Sequence, residues 1–383
     1  MSRPRLVYVV THPVTADVLL RGQLAFMRER GFDVTVVSSP GPELDRVAER
    51  EGVTTVAVPM ERPIAPGKDA RSLVALMAAL RSLRPDIVNA STPKAGLLGM
   101  MAARALCVPV RIYMLRGLRL ETARGNLRRV LSATERIAAA CADEVVCVSQ
   151  SLLELAVAEG HIPRRKAMLV GRGASNGIEP ARWERTPERI AEGRARARAV
   201  GINDDEEVIG FVGRFERDKG IVDLLEAFSR VKASRPKAKL LLVGGGLAGD
   251  LDPAIVARVK ATDGAVSFGK SDDLAPLYAR MSVLAFPSYR EGFPNVPIEA
   301  ASAGVPAVGF RSTGVVDAIE DGTSGTIGPR GDIGAFASAL ERYLRDEPFR
   351  EEQARAGRDR AEALFSQRTV WSGWEAHYRA RLR

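Results

Sequence analysis

The chain has 383 residues, of which 46% are hydrophobic and 27% charged, and a formal net charge of +9. These values are typical of a soluble globular protein long enough for two domains. Every stretch of about 18 residues contains charges, so we expect no membrane-spanning helix, and the short apolar run after the first residues fits a strand better than a signal peptide. Cys107, Cys141 and Cys147 lie in apolar contexts without metal-ligand spacing, which predicts reduced, buried thiols in a cytoplasmic protein.

Short apolar runs alternate with amphipathic helical stretches, a pattern typical of βαβ units and parallel sheets. In the first half, strands are predicted at 6–11, 33–39, 54–60, 86–91, 110–114, 144–149 and 167–171, and helices at 19–31, 43–52, 70–84 and 94–106. The pattern breaks over the polar segment 173–207, which is poor in strand formers. It restarts with strands at 208–215, 239–243, 266–269, 283–287 and 307–310.

This alternation predicts two Rossmann-like α/β domains, each with a doubly wound parallel sheet. Their predicted bounds are 1–172 and 208–365, joined by a linker at 173–207. Trp371, Trp374 and Tyr378 are spaced i, i+3 and i+7 in a helical tail at 366–383, which we expect to pack back across the domains. Two such sheets would leave a cleft at the carboxyl ends of their strands, where ligands bind in folds of this kind.

Two cations lie on a predicted strand-to-helix turn in the second half. The strand at 208–213 would deliver Arg214 to the top of the sheet, and Lys219 would lie at the start of the next helix. A cation at a helix N-terminus is unfavourable for the macrodipole unless an anion lies beside it. A diphosphate is such an anion. The alternative interpretation is a pair of surface cations bridged by Glu216 and Asp218.

A second turn, at 287–299, runs from a strand through a glycine loop into a helix. Pro297 is acceptable only in the first helical turn, so we expect the helix to begin near Asn295. The backbone N–H groups from Phe293 to Val296 then point toward the cleft, except at Pro294, which has none. They can hold sugar or phosphate oxygens.

Two carboxylates, Glu291 and Glu299, lie eight residues apart on this turn. Each can accept two hydroxyl hydrogen bonds, and a charge-assisted bond of this kind contributes roughly 1.5–3 kcal/mol. Glu299 could instead complement the helix N-terminus as in a capping box. Glu291 could instead be an exposed acid paired with Arg290.

These residues resemble those of retaining GT-B glycosyltransferases of the family 4 type, and the resemblance covers essentially the whole chain. Residues 92–96 (TPKAG) and 20–23 (LRGQ) resemble a subgroup acting on capsule, exopolysaccharide or polyprenyl-linked oligosaccharides. The resemblance implies transfer of a sugar from a nucleotide-sugar to a hydroxyl of a saccharide or polyprenyl-diphosphate-linked acceptor. UDP is the favoured nucleotide by family frequency.

The resemblance also implies roles for single residues. Arg214 and Lys219 would hold the donor diphosphate, Glu299 the nucleotide ribose, and Glu291 would lie near the donor sugar. The acceptor hydroxyl would attack the face that the diphosphate leaves, and a departing phosphate oxygen would take its proton, so no protein nucleophile and no metal or cofactor is expected. Further nucleotide-sugar contacts are implied at Gly244, Gly245, Phe268, Phe293, Pro294, Asn295 and Val296.

Arg116 is a departure from the family pattern, since related sequences often carry His-Gly where this chain has Arg116-Gly117. Arginine cannot act as a base at neutral pH, but it can bind an anion, such as a carboxylate sugar or an acceptor phosphate. We therefore include Arg116 among the catalytic candidates. His12, in the first strand-to-helix loop, is the other cleft-side histidine, whereas His161 and His377 are expected on the surface.

Two further patterns have better structural explanations. Gly244, Gly246 and Gly249 spell the dinucleotide fingerprint, but they lie outside the opening βαβ unit and lack the following ribose-binding acid. We interpret the loop as one that lets a nucleotide approach closely. Asp250 and Asp252 resemble a metal-binding D-x-D pattern, but Asp252 precedes Pro253 and a helix, which favours an N-cap.

Eight arginines lie between Arg104 and Arg136. The segment lacks the aromatic-basic interleaving of nucleic-acid binders, so anionic lipid or a phosphorylated substrate is the better partner. With Leu118, Leu120 and Leu127 it could form a peripheral membrane contact; the alternative is a solvated arginine-rich helix. Other functions consistent with the sequence are transfer to a soluble natural product, a sugar-nucleotide epimerase or phosphorylase, and a catalytically silent nucleotide-sugar-binding protein.

Overall fold

A computed structural model describes residues 3–245 and 252–382 of the chain. It divides into two compact units, the first of Met1–Gly177 with Gln367–Arg383 and the second of Ile178–Ser366. Each unit contains a parallel sheet with helices between successive strands. The prediction of two Rossmann-like parallel-sheet domains is therefore confirmed.

The sheet of the first unit has the order β3-β2-β1-β4-β5-β6-β7, with every neighbouring pair parallel. Its central strands are buried, as expected for a sheet covered on both faces. The strands are β1 (Arg5–Val9), β2 (Asp33–Ser38), β3 (Thr54–Ala57), β4 (Ile87–Ser91), β5 (Val110–Leu115), β6 (Glu144–Cys147) and β7 (Ala167–Met168).

The helices of the first unit differ from the prediction near the start of the chain, in the basic segment, and after β6, where a further helix (Gln150–Ala158) was not predicted. The helix expected at 19–31 is the shorter α2 (Gln23–Glu29), and a separate helix that was not predicted, α1 (Pro13–Leu19), precedes it. Gly22 between them has a φ of +76°, and a Cβ there would lie 2.5 Å from the Trp371 ring. An additional long helix occupies the basic segment. The helices are α1 (Pro13–Leu19), α2 (Gln23–Glu29), α3 (Pro42–Glu51), α4 (Pro66–Leu83), α5 (Pro93–Ala105), α6 (Gly125–Cys141), α7 (Gln150–Ala158) and, at the tail, α17 (Gln367–Arg381).

The aromatic stripe of α17 is a packing face within the first unit. Trp374 and Tyr378 are buried in the first unit. Asn89 Nδ2 donates to the Tyr378 hydroxyl at 2.7 Å, and this hydroxyl donates to that of Tyr8 at 3.2 Å. Because a buried phenol needs hydrogen-bond partners, these contacts fix the helix against β1 and β4.

The sheet of the second unit has the order β10-β9-β8-β11-β12-β13, again with parallel pairs. Ile209, Leu242 and Ala285 from three of its strands share a buried core with Phe228 and Leu340 from the helices. The strands are β8 (Glu207–Arg214), β9 (Ala238–Gly245), β10 (Ala265–Gly269), β11 (Val283–Phe286), β12 (Ala307–Phe310) and β13 (Gly325–Gly328).

The segment assigned to a linker holds two helices, and residues from Ile178 onward belong to the second unit. One of them, α9, lies close to α12 at Gly193, where a Cβ would fall 2.1 Å from the carbonyl oxygen of Pro276. The helices of this unit are α8 (Pro180–Trp183), α9 (Pro187–Ala199), α10 (Ile221–Ser234), α11 (Pro253–Ala261), α12 (Ala275–Arg280), α13 (Asn295–Ser302), α14 (Val315–Ala318), α15 (Ile333–Arg345) and α16 (Glu347–Phe365).

Some expectations about exposure are wrong. Cys107 is exposed and Cys141 partly so, while Cys147 is buried, which raises the pKa of its thiol to about 12. His161 is 4% exposed and bonds to Glu159. His377 bonds to Glu144 and is also largely enclosed. In the part of the chain that the structure describes, every helix is too short or too polar to cross a bilayer.

Strand order locates the ligand-binding edge of each sheet. The chain order reverses between β1 and β4 in the first unit and between β8 and β11 in the second. At such a reversal the loops leave the carboxyl ends of two adjacent strands in opposite directions and leave a crevice. The residues that follow these four strands are therefore the first to consider.

Candidate functional site

The two predicted motifs of the second unit flank its point of strand-order reversal. Arg214 ends β8, and the segment after β11 leads to Glu291. The two loops are joined, because Tyr289 N donates to Asp218 O at 2.9 Å and Arg290 pairs with Asp218 at 3.3 Å. The structure thus brings together the sequence signals that were predicted separately.

Gly220 allows this close approach. Its φ is +71°, and a Cβ at this position would lie 2.1 Å from the carbonyl oxygen of Pro287. A side chain would therefore strain the backbone and separate the loops. The glycine after Lys219 is required by the geometry of the site.

A largely buried ion pair forms the centre of the site. Lys219 Nζ lies 2.6 Å from Glu291 Oε1, and the two side chains are only 18% and 15% exposed. The Ser288 hydroxyl donates to the same carboxylate oxygen at 2.8 Å, and Glu291 N donates to Thr313 O at 3.0 Å. The alternative interpretation of Glu291 as an exposed acid paired with Arg290 is wrong, since Arg290 pairs with Asp218.

Arg214 is held more loosely. Its Nη1 lies 2.5 Å from Glu216 Oε1, and the two side chains are 40% and 34% exposed. The alternative interpretation, in which Glu216 and Asp218 bridge two surface cations, is correct for the contact between Arg214 and Glu216. It is wrong for Lys219, which pairs with Glu291. Exposed pairs contribute about 0–1 kcal/mol. Arg214 can therefore exchange Glu216 for a ligand oxyanion at little cost.

The helix after the glycine loop begins at Asn295, as predicted. Its N-cap residue is Pro294, and no side chain caps it. Because proline has no side-chain acceptor, this residue does not cap the first-turn N–H groups, which are suited to a ligand oxygen. Phe293 is buried, with its ring centroid 5.0 Å from that of Phe365, so its side chain anchors the loop. Val296 O accepts from the Tyr278 hydroxyl at 3.5 Å.

Glu299 lies inside α13 and is not a capping residue, because the first turn of this helix contains no acid. Burial raises the pKa of its carboxyl group to about 7, and the hydrogen bond from the Tyr278 hydroxyl, 3.1 Å from Oε2, opposes this shift. The side chain therefore carries a proton in part of the molecules near neutral pH. In that form it can donate to a hydroxyl oxygen as well as accept from one.

The glycines at the end of β9 lie beside Arg214. Gly244 has a φ of +135°, and a Cβ there would fall 1.9 Å from Gly213 O. Gly245 O accepts from Phe215 N at 3.2 Å. Phe268 lies on β10, at the same end of the sheet, and is partly exposed. The strand ends thus leave open backbone next to the cations.

The glycine fingerprint at 244–249 and the D-x-D pattern at 250–252 fall partly on residues whose structure is not described. Gly246, Gly249 and Asp250 lie outside the described residues. Asp252 is the N-cap of α11, since its Oδ1 accepts from Ala254 N at 2.9 Å, and this prediction is confirmed. Within residues 3–245 and 252–382, no group of three or more His, Cys, Asp or Glu side chains is arranged to hold a metal ion.

Arg116 lies after β5 in the first unit, with its guanidinium buried. Its Nη1 donates to the hydroxyl of Ser175, while Nε and Nη2 are buried and have no hydrogen-bond partner among the described residues. Burial lowers the pKa of Arg116 to about 10, and nearby Tyr378 and Tyr8 oppose the shift. The loop that it contacts is strained, since Ala174 has a φ of +92°.

The other motifs of the first unit have structural roles at the reversal between β1 and β4. Thr92 has a φ of +75°, and its hydroxyl lies 2.6 Å from that of Thr11, which also accepts from Ala95 N at 3.1 Å. Lys94 pairs with Asp69 at 2.5 Å. These contacts hold the start of α5 in place.

His12 caps α1, because its Nδ1 accepts from Val14 N at 3.3 Å. This contact explains the histidine without a ligand.

Sequence reasoning missed three side chains that position the site residues: Ser288, Tyr278 and Ser175. Ser288 donates to Glu291, Tyr278 donates to Glu299, and Ser175 accepts from Arg116. Only Ser288 had a sequence signal, since it directly follows the predicted strand 283–287. The partners of Glu299 and Arg116 depend on tertiary packing.

Comparison with known proteins agrees with this arrangement. The model of the glycosyl transferase 4-like domain matches residues 17–173, and that of glycosyl transferases group 1 matches residues 194–360. The second match contains Arg214, Lys219, Glu291 and Glu299. The structure is similar to that of HepE from Anabaena in complex with UDP and glucose, with a TM-score of 0.80, 18% identity, and coverage of 97% of this chain and 98% of that chain.

Two curated relatives align over most of the chain. The capsular polysaccharide biosynthesis glycosyltransferase CapM of Staphylococcus aureus is 34% identical over 100% of this chain and 99% of its own length. The UDP-Gal:alpha-D-GlcNAc-diphosphoundecaprenol alpha-1,3-galactosyltransferase of Escherichia coli is 26% identical, over 90% of this chain and 89% of its own length. The chain therefore belongs to the GT-B glycosyltransferases that combine a 4-like domain with a group 1 domain, and it is a glycosyltransferase.

Proposed function

We propose that this glycosyltransferase moves a sugar, with retention of anomeric configuration, from a UDP-sugar to a hydroxyl of a saccharide or polyprenyl-diphosphate-linked acceptor in surface-polysaccharide assembly. The observation that carries the proposal is the Lys219–Glu291 pair, 2.6 Å apart beside the point where β8 and β11 diverge. The names of the S. aureus and E. coli relatives support the acceptor class, and the E. coli name and the HepE complex support UDP.

In the proposed donor site, Arg214 and Lys219 neutralise the diphosphate. Both are cations at the carboxyl end of one sheet, and the uncapped N-terminus of α13 adds N–H donors to the same loop region. Charge that builds up on the departing diphosphate is thereby stabilised by groups already in position. We propose that this pair of cations takes the place of a metal ion.

Glu299 is proposed to hold the nucleotide ribose. It is buried beside Tyr278 and has a pKa of about 7, so one carboxyl oxygen can donate and the other accept. Glu291 is proposed to orient the donor sugar through its hydroxyls while it keeps Lys219 beside the diphosphate. Gly244, Gly245 and Phe268 would border the nucleotide, as open backbone and a partly exposed ring at the same strand ends.

The proposed chemistry keeps the sugar configuration without a protein nucleophile. The bond between the anomeric carbon and the diphosphate oxygen breaks, and the acceptor oxygen bonds to the same face of that carbon. The proton of the acceptor hydroxyl passes to a phosphate oxygen of the leaving UDP. The protein then contributes position and electrostatic stabilisation.

Arg116 is proposed to meet an anionic group of the substrate. Two of its nitrogens are buried without a hydrogen-bond partner among the described residues. An uncompensated buried charge costs several kcal/mol, and an oxyanion in contact with the guanidinium would remove much of that cost. The strained loop at 173–176, which holds Ser175 against Arg116, is the segment that would move to admit it.

The first test of this proposal is nucleotide release from a panel of UDP-, GDP- and dTDP-sugars. Wild type is compared with Lys219→Ala, Glu291→Gln and the matched control Lys237→Ala, whose side chain is 69% exposed. We expect slow hydrolysis of one UDP-sugar by wild type and the control, and its loss in the two site variants. Tight donor binding without release, even with crude lipid-linked acceptors, would instead indicate a nucleotide-sugar-binding protein.

A peripheral contact with anionic membrane is also proposed, for the first unit. The expected contributors Leu118 and Leu120 are buried and cannot take part. Leu127, Val130 and Ile137 of α6 are instead nearly half exposed and lie along one side of the helix. Among the described residues, the exposed large hydrophobic side chains all belong to this unit.

Cations border this apolar stripe. Arg124 and Arg129 are exposed at the beginning of α6, so an anionic surface would attract the face that carries the leucine and valine side chains. Liposome sedimentation with and without phosphatidylglycerol tests the contact. We expect Leu127→Ser/Val130→Ser to reduce binding and the control Val74→Ser, a change at an even more exposed position on α4, to leave it unchanged. Binding that is indifferent to lipid charge and salt would contradict the proposal.

A further inference from the structure

A second cation-rich cavity lies in the second unit, at the edge of the sheet opposite the proposed donor site. It has a volume of about 510 Å³. Met281 and Ser282 line it and directly precede β11, whereas Glu291 follows that strand. Ser282 N donates to Val208 O at 2.8 Å, near the beginning of β8. Strands β8 and β11, which lie side by side, therefore run from this cavity to the edge that carries Arg214 and Lys219.

Arginine is the dominant side chain of the cavity wall. Six arginines line it against three carboxylates, which leaves an excess of three positive charges. They come from three helices and from the segments beside them, so the cluster is created by the fold and not by one run of sequence. They are Arg185, Arg194, Arg280, Arg350, Arg355 and Arg358.

Two glycines bring these arginines close together. At Gly193, α9 packs so closely on α12 that a Cβ would lie 3.6 Å from Arg280 Cβ, which places Arg194 next to Arg280 in the structure. At Gly304, after α13, a Cβ would lie 2.4 Å from Arg358 Nη2. The guanidinium of Arg358 therefore rests on backbone that carries no side chain.

Three of the six form the fixed part of the wall. Arg185 donates to Ala279 O at 3.1 Å, and Arg350 donates to Tyr343 O at 2.9 Å. Arg280 donates to two backbone carbonyl oxygens at 2.7 and 2.9 Å, while its Nε is buried without a partner in the described part of the chain. These contacts hold positive charge at the wall without neutralising it, except at Arg350, which also pairs with a glutamate.

The side chains of the remaining three, Arg194, Arg355 and Arg358, make no hydrogen bond or ion pair with any described residue, and all three are exposed. Each is free to turn its guanidinium toward the cavity. Repulsion between like charges is already felt there, because burial first and then Arg358, Arg350 and Arg194 lower the pKa of Arg185. A bound anion would relieve this repulsion.

We propose that this cavity binds a phosphate-bearing anion with at least two negative charges, held by Arg194, Arg355 and Arg358 against the fixed wall. The excess of positive charge favours a ligand with more than one negative charge. Guanidinium groups present paired N–H donors that match phosphate oxygens. The volume lies within the range of about 300–1,000 Å³ for small-molecule sites, so a diphosphate or a phosphorylated metabolite can enter.

Isothermal titration calorimetry with inorganic pyrophosphate tests the proposal on the full chain. Wild type is compared with Arg194→Ala/Arg358→Ala, whose two side chains have no described partner to lose. The matched control is Arg258→Ala/Lys260→Ala, which removes two cations from α11 of the same unit. Each comparison is repeated in a Lys219→Ala background, because pyrophosphate could also occupy the proposed donor site.

We expect pyrophosphate to bind wild type, the α11 control and Lys219→Ala, and to bind Arg194→Ala/Arg358→Ala at least about tenfold more weakly. Arg194→Lys/Arg358→Lys should lie between them, because charge is kept while the paired donors are lost. Donor hydrolysis should be unchanged in the cavity variants.

The absence of binding to wild type, or equal binding by the cavity variant and the α11 control, would overturn the proposal. Vesicles containing cardiolipin distinguish a lipid headgroup from a soluble phosphate. Binding of wild type, but not of the cavity variant, to these vesicles without any heat from pyrophosphate would also overturn it, since the ligand would then be a membrane.

Discussion

Replacing Lys219 with alanine leaves the Glu291 carboxylate without its cationic partner in a largely enclosed site. Glu291 would lose the ammonium 2.6 Å from its Oε1 and keep the Ser288 hydroxyl as a partner. Exposed ion pairs contribute up to about 1 kcal/mol, and breaking a buried pair costs about 3–5 kcal/mol. With the side chains 18% and 15% exposed, we expect Lys219→Ala to lower the free energy of unfolding by about 1–3 kcal/mol.

The double variant Lys219→Ala/Glu291→Gln separates structure from catalysis. It removes the stranded charge, because glutamine is neutral and can still accept from Ser288, so most of the lost stability should return. Catalysis should not return, since the diphosphate still lacks its ammonium partner. Loss of one charge-assisted hydrogen bond, at about 1.5–3 kcal/mol, corresponds to roughly a 10- to 150-fold lower kcat/KM.

Urea unfolding and the rate of UDP release are measured on wild type, both single variants and the double variant. The reasoning predicts that the stability of the double variant exceeds that of Lys219→Ala while its turnover stays as low. If turnover recovers together with stability, neither the Lys219 ammonium nor the Glu291 carboxylate is needed for turnover, and the assignment of Lys219 to the diphosphate is refuted.

Three further predictions concern the ionisation of Glu299, the close approach at Gly220 and the metal dependence of donor hydrolysis. Burial raises the pKa of Glu299 to about 7 from 4.5, so the stability of wild type relative to Glu299→Gln is fully present below pH 4.5 and falls by roughly 3 kcal/mol as the pH rises through 7. Urea unfolding of both proteins at several pH values measures this difference, and a difference that stays constant with pH would contradict the prediction. Gly220→Ala should lower the Tm more than Gly201→Ala, because both have positive φ but only the first adds a Cβ 2.1 Å from Pro287 O; equal losses would mean that the loops can separate freely. Donor hydrolysis should be unaffected by EDTA, because two cations of the donor site neutralise the diphosphate, whereas a loss of activity that Mg²⁺ restores would show a metal requirement.

The sequence was most informative where chemistry and chain geometry depend on neighbouring residues. Pro297 located the start of α13 at Asn295, and the alternation of strands and helices predicted both parallel sheets. Arg214 and Glu291 could be assigned to one site because each follows a strand, and the carboxyl ends of parallel strands share one edge. These inferences need only local rules.

The rest depended on contacts between distant segments. The turn between α1 and α2 depends on Gly22 packed against Trp371, almost the whole length of the chain away. The burial of His161, the enclosure of Arg116 and the exposure of Leu127 likewise depend on how distant segments pack around them. Composition and periodicity do not carry that information for short or arginine-rich segments.

The measurement that tests the central claim most directly is the configuration of the sugar first released from an α-linked UDP-sugar. One-dimensional proton NMR, recorded immediately after a concentrated sample of wild type is added, distinguishes the α and β anomers before they interconvert. Same-face attack at the anomeric carbon predicts that the α anomer appears first and that Lys219→Ala releases far less of it. Initial release of the β anomer, or equal release by the variant, would contradict the account.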